Sequence, residues 1–148
     1  MEYKIEIATK ADYLEIIEVW EASVKATHHF LNEEDIAYFK PLILDNYLDA
    51  VELRCAKDKY NKIIGFLGVA EENLEMLFLH PNTIGKGLGK KMLQYALMEL
   101  DVKKVDVNED NSSAADFYKS QGFKVVSRSE TDPLGKPFPI LHMEYKPV

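Results

Sequence analysis

The stretch LEMLFLHPNTIGKGLGKKMLQYALMEL (residues 74–100) passes through three kinds of pattern. Leu74–Leu79 is a β-favouring run closed by Pro81. Gly85, Gly87 and Gly89 then alternate with other residues, and Leu88, Met92, Leu93, Ala96, Leu97 and Leu100 recur at helical spacing. Strand, glycine turn, helix is the order these patterns predict. Glycine turns tightly and lets a ligand approach without a Cβ in the way. The first helical turn leaves unpaired N–H groups at the positive end of the dipole. With Lys86 and Lys90 adding charge, Ile84–Lys90 reads as an anion cradle, although the same glycines would also serve a plain tight connection. The spacing is not that of a Walker A loop, because the residue five places after Gly85 is Lys90. GxGxG in place of GxGxxG, reached through the five residues His80–Ile84, weakens a dinucleotide reading; Asp106 keeps it open as a ribose-binding acid.

On either side of this stretch the chain alternates between the two periodicities. Tyr3–Ala8 alternates as a strand, and Thr9 with Asp12 resembles a capping box. Tyr13, Ile16, Ile17, Trp20 and Val24 predict a helix to about His28, and Asn32 with Glu33–Asp35 opens another, bent or broken near Pro41. Val51–Ala56 and Ile63–Ala70 are strands across a polar hairpin connection. Lys104–Val107, Phe123–Ser129 and Ile140–Tyr145 are strands too, and Ser112–Gln121 is a helix closed by Gly122. The order is β α α β β β α β α β β, a mixed α/β arrangement. No repeat, low-complexity tract or linker interrupts it, so residues 1–148 read as a single domain.

Composition narrows the function classes. With 47% hydrophobic residues in 148 the chain has the makings of a packed core rather than disorder. No apolar run reaches the roughly 20 residues a membrane helix needs. The N-terminus has no secretory pattern and Cys55 stands alone, which excludes an internal disulfide and a CxxC site; a cytoplasmic setting is expected. The four histidines have no ligand spacing, so no metal is expected. A net charge of −7 disfavours nucleic acid as a partner. That charge is uneven: the first 50 residues hold 4 lysines and 11 carboxylates, the remainder 14 basic and 14 acidic residues.

The chain resembles the GNAT superfamily of N-acetyltransferases, whose acetyl-CoA loop reads Arg/Gln-x-x-Gly-x-Gly/Ala after a strand. Here Leu79-His80-Pro81 precedes Ile84-Gly85-Lys86-Gly87-Leu88-Gly89. A second family segment, Asn-x-x-Ala-x-x-x-Tyr followed by Gly-Phe, matches Asn111, Ala114, Tyr118 and Gly122-Phe123. ATHHFL (26–31), VNEDN (107–111) and RSETDPLGKPFPIL (128–141) are similar to the small bacterial YjaB-type subgroup. Ile84 departs from the family's Arg or Gln; the main-chain amide survives and the side-chain contact is lost.

The resemblance implies a GNAT-like acyl-CoA N-acyltransferase fold, a mostly antiparallel mixed sheet flanked by helices. It also implies acetyl transfer from acetyl-CoA to a primary amine of a small molecule or peptide, in a protein that can dimerise. The cofactor's diphosphate would lie on Ile84, Gly85, Lys86, Gly87, Leu88, Gly89 and Lys90. Its pantetheine arm would run beside Leu77, Phe78 and Leu79 and meet Asn108 and Asn111. Tyr118, by spacing alone a packing aromatic, becomes the general acid; a phenol pKa of about 10 lies close to a thiol's. Glu75, which strand alternation puts on the face of Leu77 and Leu79, is the best-placed base. His28 and His29, as proton acceptors, and Asp132 in the Thr131–Pro139 loop are expected at the acceptor pocket, where the acidic first third would favour a cationic amine. The alternative is a non-catalytic acyl-CoA-binding or sensing module, with the loop but no effective base.

Overall fold

The computed structural model describes residues 2–147. Its strands are β1 (Tyr3–Ile7), β2 (Glu52–Asp58), β3 (Ile63–Ala70), β4 (Asn73–Leu79), β5 (Lys104–Asn108), β6 (Phe123–Ser129) and β7 (Ile140–Tyr145). Its helices are α1 (Tyr13–Thr27), α2 (Glu33–Leu42), α3 (Leu88–Glu99) and α4 (Ser112–Ser120), and the order is the one the sequence predicts. The Thr9 N–H donates to Asp12 Oδ2 at 2.9 Å ahead of α1. At α2 the Asn32 side chain accepts from the Asp35 N–H at 2.9 Å while Asp35 accepts from the Asn32 N–H at 3.0 Å. These reciprocal bonds satisfy donors that a helix start leaves free. The chain does not break at Pro41: α2 continues to Leu42 and widens into a π-type turn at Ile43–Tyr47. Proline removes one amide from the helical ladder, and the widening follows directly after it.

The strands form one sheet in the order β1-β2-β3-β4-β5-β7-β6, antiparallel throughout except between β4 and β5. Among the described residues there is no doubly wound parallel sheet, and the dinucleotide reading goes with it. One face packs Leu67, Leu74 and Phe123 against Leu88, Met92 and Leu93 of α3 and Tyr118 of α4. The other packs Phe66, Met76 and Cys55 against Ile16, Trp20 and Val24 of α1 and Ile36 of α2.

Two irregularities in β4 shape everything that follows. Gly68 pairs with Met76 and Val69 with Leu74, so Glu75 is the unmatched residue of a β-bulge. The bulge resets the alternation: Leu74 and Leu77 join one core, Met76 and Phe78 the other. The expected placing of Glu75 on the face of Leu77 and Leu79 does not hold, because the bulge interrupts the period that places it there. The second irregularity is that β4 meets β5 only through Asn73 with Lys104 and Leu74 with Val105. Beyond these pairs the strands part, and the edge of β4 from Met76 to Leu79 has a strand neighbour on the β3 side alone.

Gly68 sits opposite the bulge, where a Cβ would lie 2.7 Å from Val51 Cγ2 and 3.1 Å from Met76 Cε. Gly68→Ala is expected to destabilise the fold by about 1–3 kcal/mol in urea melts, because β-branched Val51 has little rotamer freedom to withdraw. Adding Val51→Ala should recover part of that loss.

Candidate active site

The parted strands open a cavity of about 340 Å³. Leu77, Phe78 and Leu79 of β4 form one wall, and Asn111, Ala114, Phe117 and Tyr118 from the α4 segment form the facing wall. Ser23, Thr27 and His28 close it from the end of α1, while Ile84, Gly85, Gly87, Gly89 and Lys90 line the glycine-loop end.

Gly85 and Gly87 have φ of +82° and +85°, and a Cβ on either would meet nothing within 4 Å. The loop is thus held in a backbone shape suited to glycine and open to approach. Leu88 is 1% exposed and anchors the loop in the core, so only its main chain can face a ligand. The first bond of α3 runs from the Lys91 N–H to the Gly87 carbonyl at 3.2 Å. The amides of Leu88, Gly89 and Lys90 consequently have no carbonyl within the helix to bond. The Ile84 amide is already committed to the Pro81 carbonyl at 3.3 Å, so the amide expected to survive the Arg/Gln replacement is spent within the turn. Its side chain is 45% exposed and lines the cavity. Lys86 turns away from this cavity and lines a separate one with Lys59 and Lys62; Lys90 stays on the cavity side.

Tyr118 is 7% exposed, edge-on to Phe117 and Phe123 with ring centroids 5.2 and 5.6 Å away. Burial pushes its phenol well above the ordinary value. The simple match between a free phenol and a thiol is therefore altered by folding. A thiol drawn into the same cavity is desolvated too and moves in the same direction.

His28 joins α1 to α4. Its Nδ1 lies 2.8 Å from Thr27 Oγ1, which itself donates to the Ser23 carbonyl at 2.7 Å. Its Nε2 lies 3.2 Å from Asn111 Nδ2, while Asn111 Oδ1 accepts the Ala114 N–H at 3.2 Å. Each donor in this chain has one acceptor, which fixes a neutral imidazole protonated at Nδ1. Burial, with the neighbouring His29, lowers the His28 pKa to about 4. A group so placed bridges two walls of the cavity, and its lowered pKa disfavours the proton-accepting role expected of it. His29 is exposed and lies outside the cavity lining. Asn108 is outside it as well; its Oδ1 accepts the Asp110 N–H at 3.0 Å in the turn before α4.

Glu75 and Asp132 meet at a second groove of about 420 Å³, bordered by Phe39, Tyr47, Met76, Pro133 and Leu134. Partial burial raises the Glu75 pKa, partly offset by a hydrogen bond with Asn73 and reinforced by the Asp106 charge. Asp132 Oδ1 accepts the Leu134 and Lys136 N–H groups at 2.9 and 2.8 Å, so this carboxylate organises the β6–β7 loop. Ser23, Thr27, Ser113, Ala114 and Phe117 also line the first cavity. Ala114 stands in the Asn-x-x-Ala-x-x-x-Tyr segment and Phe117 beside Tyr118, and Ser23 is a small polar residue beside the apolar stripe of α1, whereas Thr27 and Ser113 carry no signal of their own.

A two-residue parallel pairing that opens beside a glycine loop and a buried tyrosine offers an extended ligand a free main-chain edge and an anion cradle, and the class of protein that carries it is an acetyltransferase. Residues 50–125 match the acetyltransferase (GNAT) domain, and the chain belongs to that family of acetyltransferases. It is 38% identical over 130 residues to the peptidyl-lysine N-acetyltransferase YjaB of Salmonella typhimurium, covering 88% of this chain and 89% of that protein. The solution structure of apo-form YjaB from Escherichia coli superposes with a TM-score of 0.90 at 33% identity, covering 100% of both chains. The fold is also that of the PaiA N-acetyltransferase of Thermoplasma acidophilum in complex with coenzyme A, with a TM-score of 0.75, 24% identity, and 98% and 100% coverage.

The His28 pKa has a consequence for stability. A histidine lowered on folding takes up its proton more readily in the unfolded chain, so its contribution is complete above the unfolded value of about 6.5 and is lost as pH falls from there toward 4. Urea melts at pH 7 and pH 5 should differ more for the wild type than for His28→Gln, over a full range on the order of 3 kcal/mol.

Proposed function

We propose that the chain moves an acetyl group from acetyl-CoA to the ε-amine of a lysine in a polypeptide. The observation that carries this reading is the free edge of β4 lying between the unpaired amides of Leu88–Lys90 and the buried phenol of Tyr118. The acceptor class follows the peptidyl-lysine activity for which its YjaB relative is named. Coenzyme A in the PaiA structure supports the donor.

The amides of Leu88, Gly89 and Lys90, with the Lys90 ammonium, hold a diphosphate as helix N-termini do. The open edge of β4 receives the pantetheine arm through main-chain bonds, as it would an added strand. Amides within Leu77–Leu79 stabilise charge on the thioester oxygen during attack. Acetyl-CoA, when bound, supplies an activated acyl carbon. From the opposite side of β4 a lysine stem lies along Phe39, Tyr47 and Met76 and brings its ammonium to Glu75.

Glu75, whose raised pKa makes it a stronger base than an ordinary glutamate, takes the ammonium proton directly or through water. The N–C bond then forms as the C–S bond breaks, the Tyr118 hydroxyl donates its proton to the departing sulfur, and the surplus proton on the newly acylated nitrogen passes to the Tyr118 phenolate, directly or through water, which leaves the phenol as it began. Burial keeps that phenol protonated until sulfur becomes anionic. Asn111 holds α4, and with it Tyr118, against α1 through His28. Asp132 shapes the loop over the acceptor groove rather than gripping the amine. The acidic first third of the chain supplies the early helices and suits a cationic acceptor.

Tyr118→Phe is expected to lower kcat by about 100-fold or more while leaving acetyl-CoA affinity within about threefold. CoA thiol release with a lysine peptide and calorimetry measure the two quantities. Gly87→Asp should abolish acetyl-CoA binding, by forcing a side chain onto positive φ and adding like charge beside the diphosphate. Acetyl-CoA binding without thiol release across an amine panel would instead support the acyl-CoA sensor.

A further inference from the structure

Val105 and Val107 of β5 are buried in the α3–α4 core, so Asp106 between them projects to the opposite, solvent-facing side of the sheet. Asp106 and Glu75 are the first residues beyond the last β4–β5 pair, one on each diverging strand. Asp106 lies directly across from His142 of β7, and its Oδ1 is 2.7 Å from His142 Nδ1. His142 Nε2 is in turn 2.7 Å from Ser129 Oγ on β6. With Asp106 ionised, Nδ1 carries the hydrogen and Nε2 accepts from the serine hydroxyl. A carboxylate behind the ring both orients the basic nitrogen and stabilises the imidazolium that forms when it takes a proton.

The same polar cavity, of about 390 Å³, opens onto Glu75, Asp106 and His142. A polar space of that size admits water between them. The other charges facing the ring are Lys104 of β5, Glu71 beside the β3–β4 turn, Glu144 of β7 with Lys146 3.9 Å from it, and Lys124 of β6 opposite Glu144.

Acetylation of an ammonium releases one net proton. A glutamate that has taken this proton is not a base again until it has lost it. We propose that the Asp106–His142–Ser129 row is the route by which Glu75 is reset. The Glu75 O–H bond breaks, cavity water carries the proton, and an N–H bond forms at His142 Nε2. The Ser129 hydroxyl turns from donor to acceptor, Asp106 holds the imidazolium, and bulk water then takes the proton. This assigns His142 a positioning and relay role and rests on Glu75 being the group that deprotonates the acceptor.

His142→Gln can keep a donor to Asp106 and an acceptor for Ser129 while losing the ring nitrogen on which the N–H bond forms. With acetyl-CoA and a lysine peptide in weak buffer, its first turnover should proceed at the wild-type rate. Steady-state kcat should fall by at least about 10-fold, with KM falling in proportion so that kcat/KM keeps its wild-type value, and added imidazole should restore both. Wild-type kcat in weak buffer, or a loss that imidazole does not repair, would overturn the relay. Asp106→Asn should show the same split, and urea melts on both variants identify a loss due to unfolding. Glu75→Gln separates the two readings. If it keeps a wild-type first turnover, Glu75 is not the base and the relay falls with it. If it is slow in that turnover while His142→Gln has wild-type kcat, the relay alone is wrong.

Discussion

Only two residue pairs join β4 to β5, and the separation of the strands beyond them is the constraint on which the rest of the structure depends. A sheet strand ordinarily has its main-chain groups paired on both sides. From Met76 onward β4 keeps β3 on one side, with Leu79 opposite Gly65, and faces a cavity on the other. The polar main chain so exposed is tolerable only where water or a ligand can satisfy it. Both cores are arranged around this gap. Leu74 anchors its closed end, Leu88 anchors the glycine loop, and Tyr118 supplies the far wall.

The bulge at Glu75 is coupled to that separation. It gives β4 one residue more than β3 and changes which side chains face each core, at the position where β5 departs. The result is division of labour between neighbouring residues of one strand. Leu77 and Leu79 border the cavity beside the glycine loop, whereas Glu75 borders the groove with Asp132 and the polar cavity with Asp106. In the proposed mechanism, donor and acceptor thus approach the same strand from different directions.

The order of elements could be read from the sequence because β-rich runs and helical spacing persist over whole segments, and the glycine loop stood out because no other residue type makes that turn readily. The register of Tyr118 with Asn111 and Gly122 singles it out as a candidate. What could not be read depends on contacts between distant segments. LEMLFL is an uninterrupted apolar run apart from Glu75, and its bulge is visible only against Gly68 and Val69. Asn108 and Asn111 look equivalent in sequence; one carboxamide is consumed by the Asp110 amide, while the other reaches His28 from 83 residues away. The Ile84 amide likewise looked free until the Pro81 carbonyl was in place beside it.

Gly85 and Gly87 hold left-handed torsions that follow from residue type and from the burial of Leu88 alongside. The entropy of ordering this turn is therefore lost when the chain folds and need not be lost again when the diphosphate of the proposed function arrives. Such a receptor gains selectivity from rigidity: an anion whose oxygens do not match the preset amide spacing meets a surface that will not remodel to suit it.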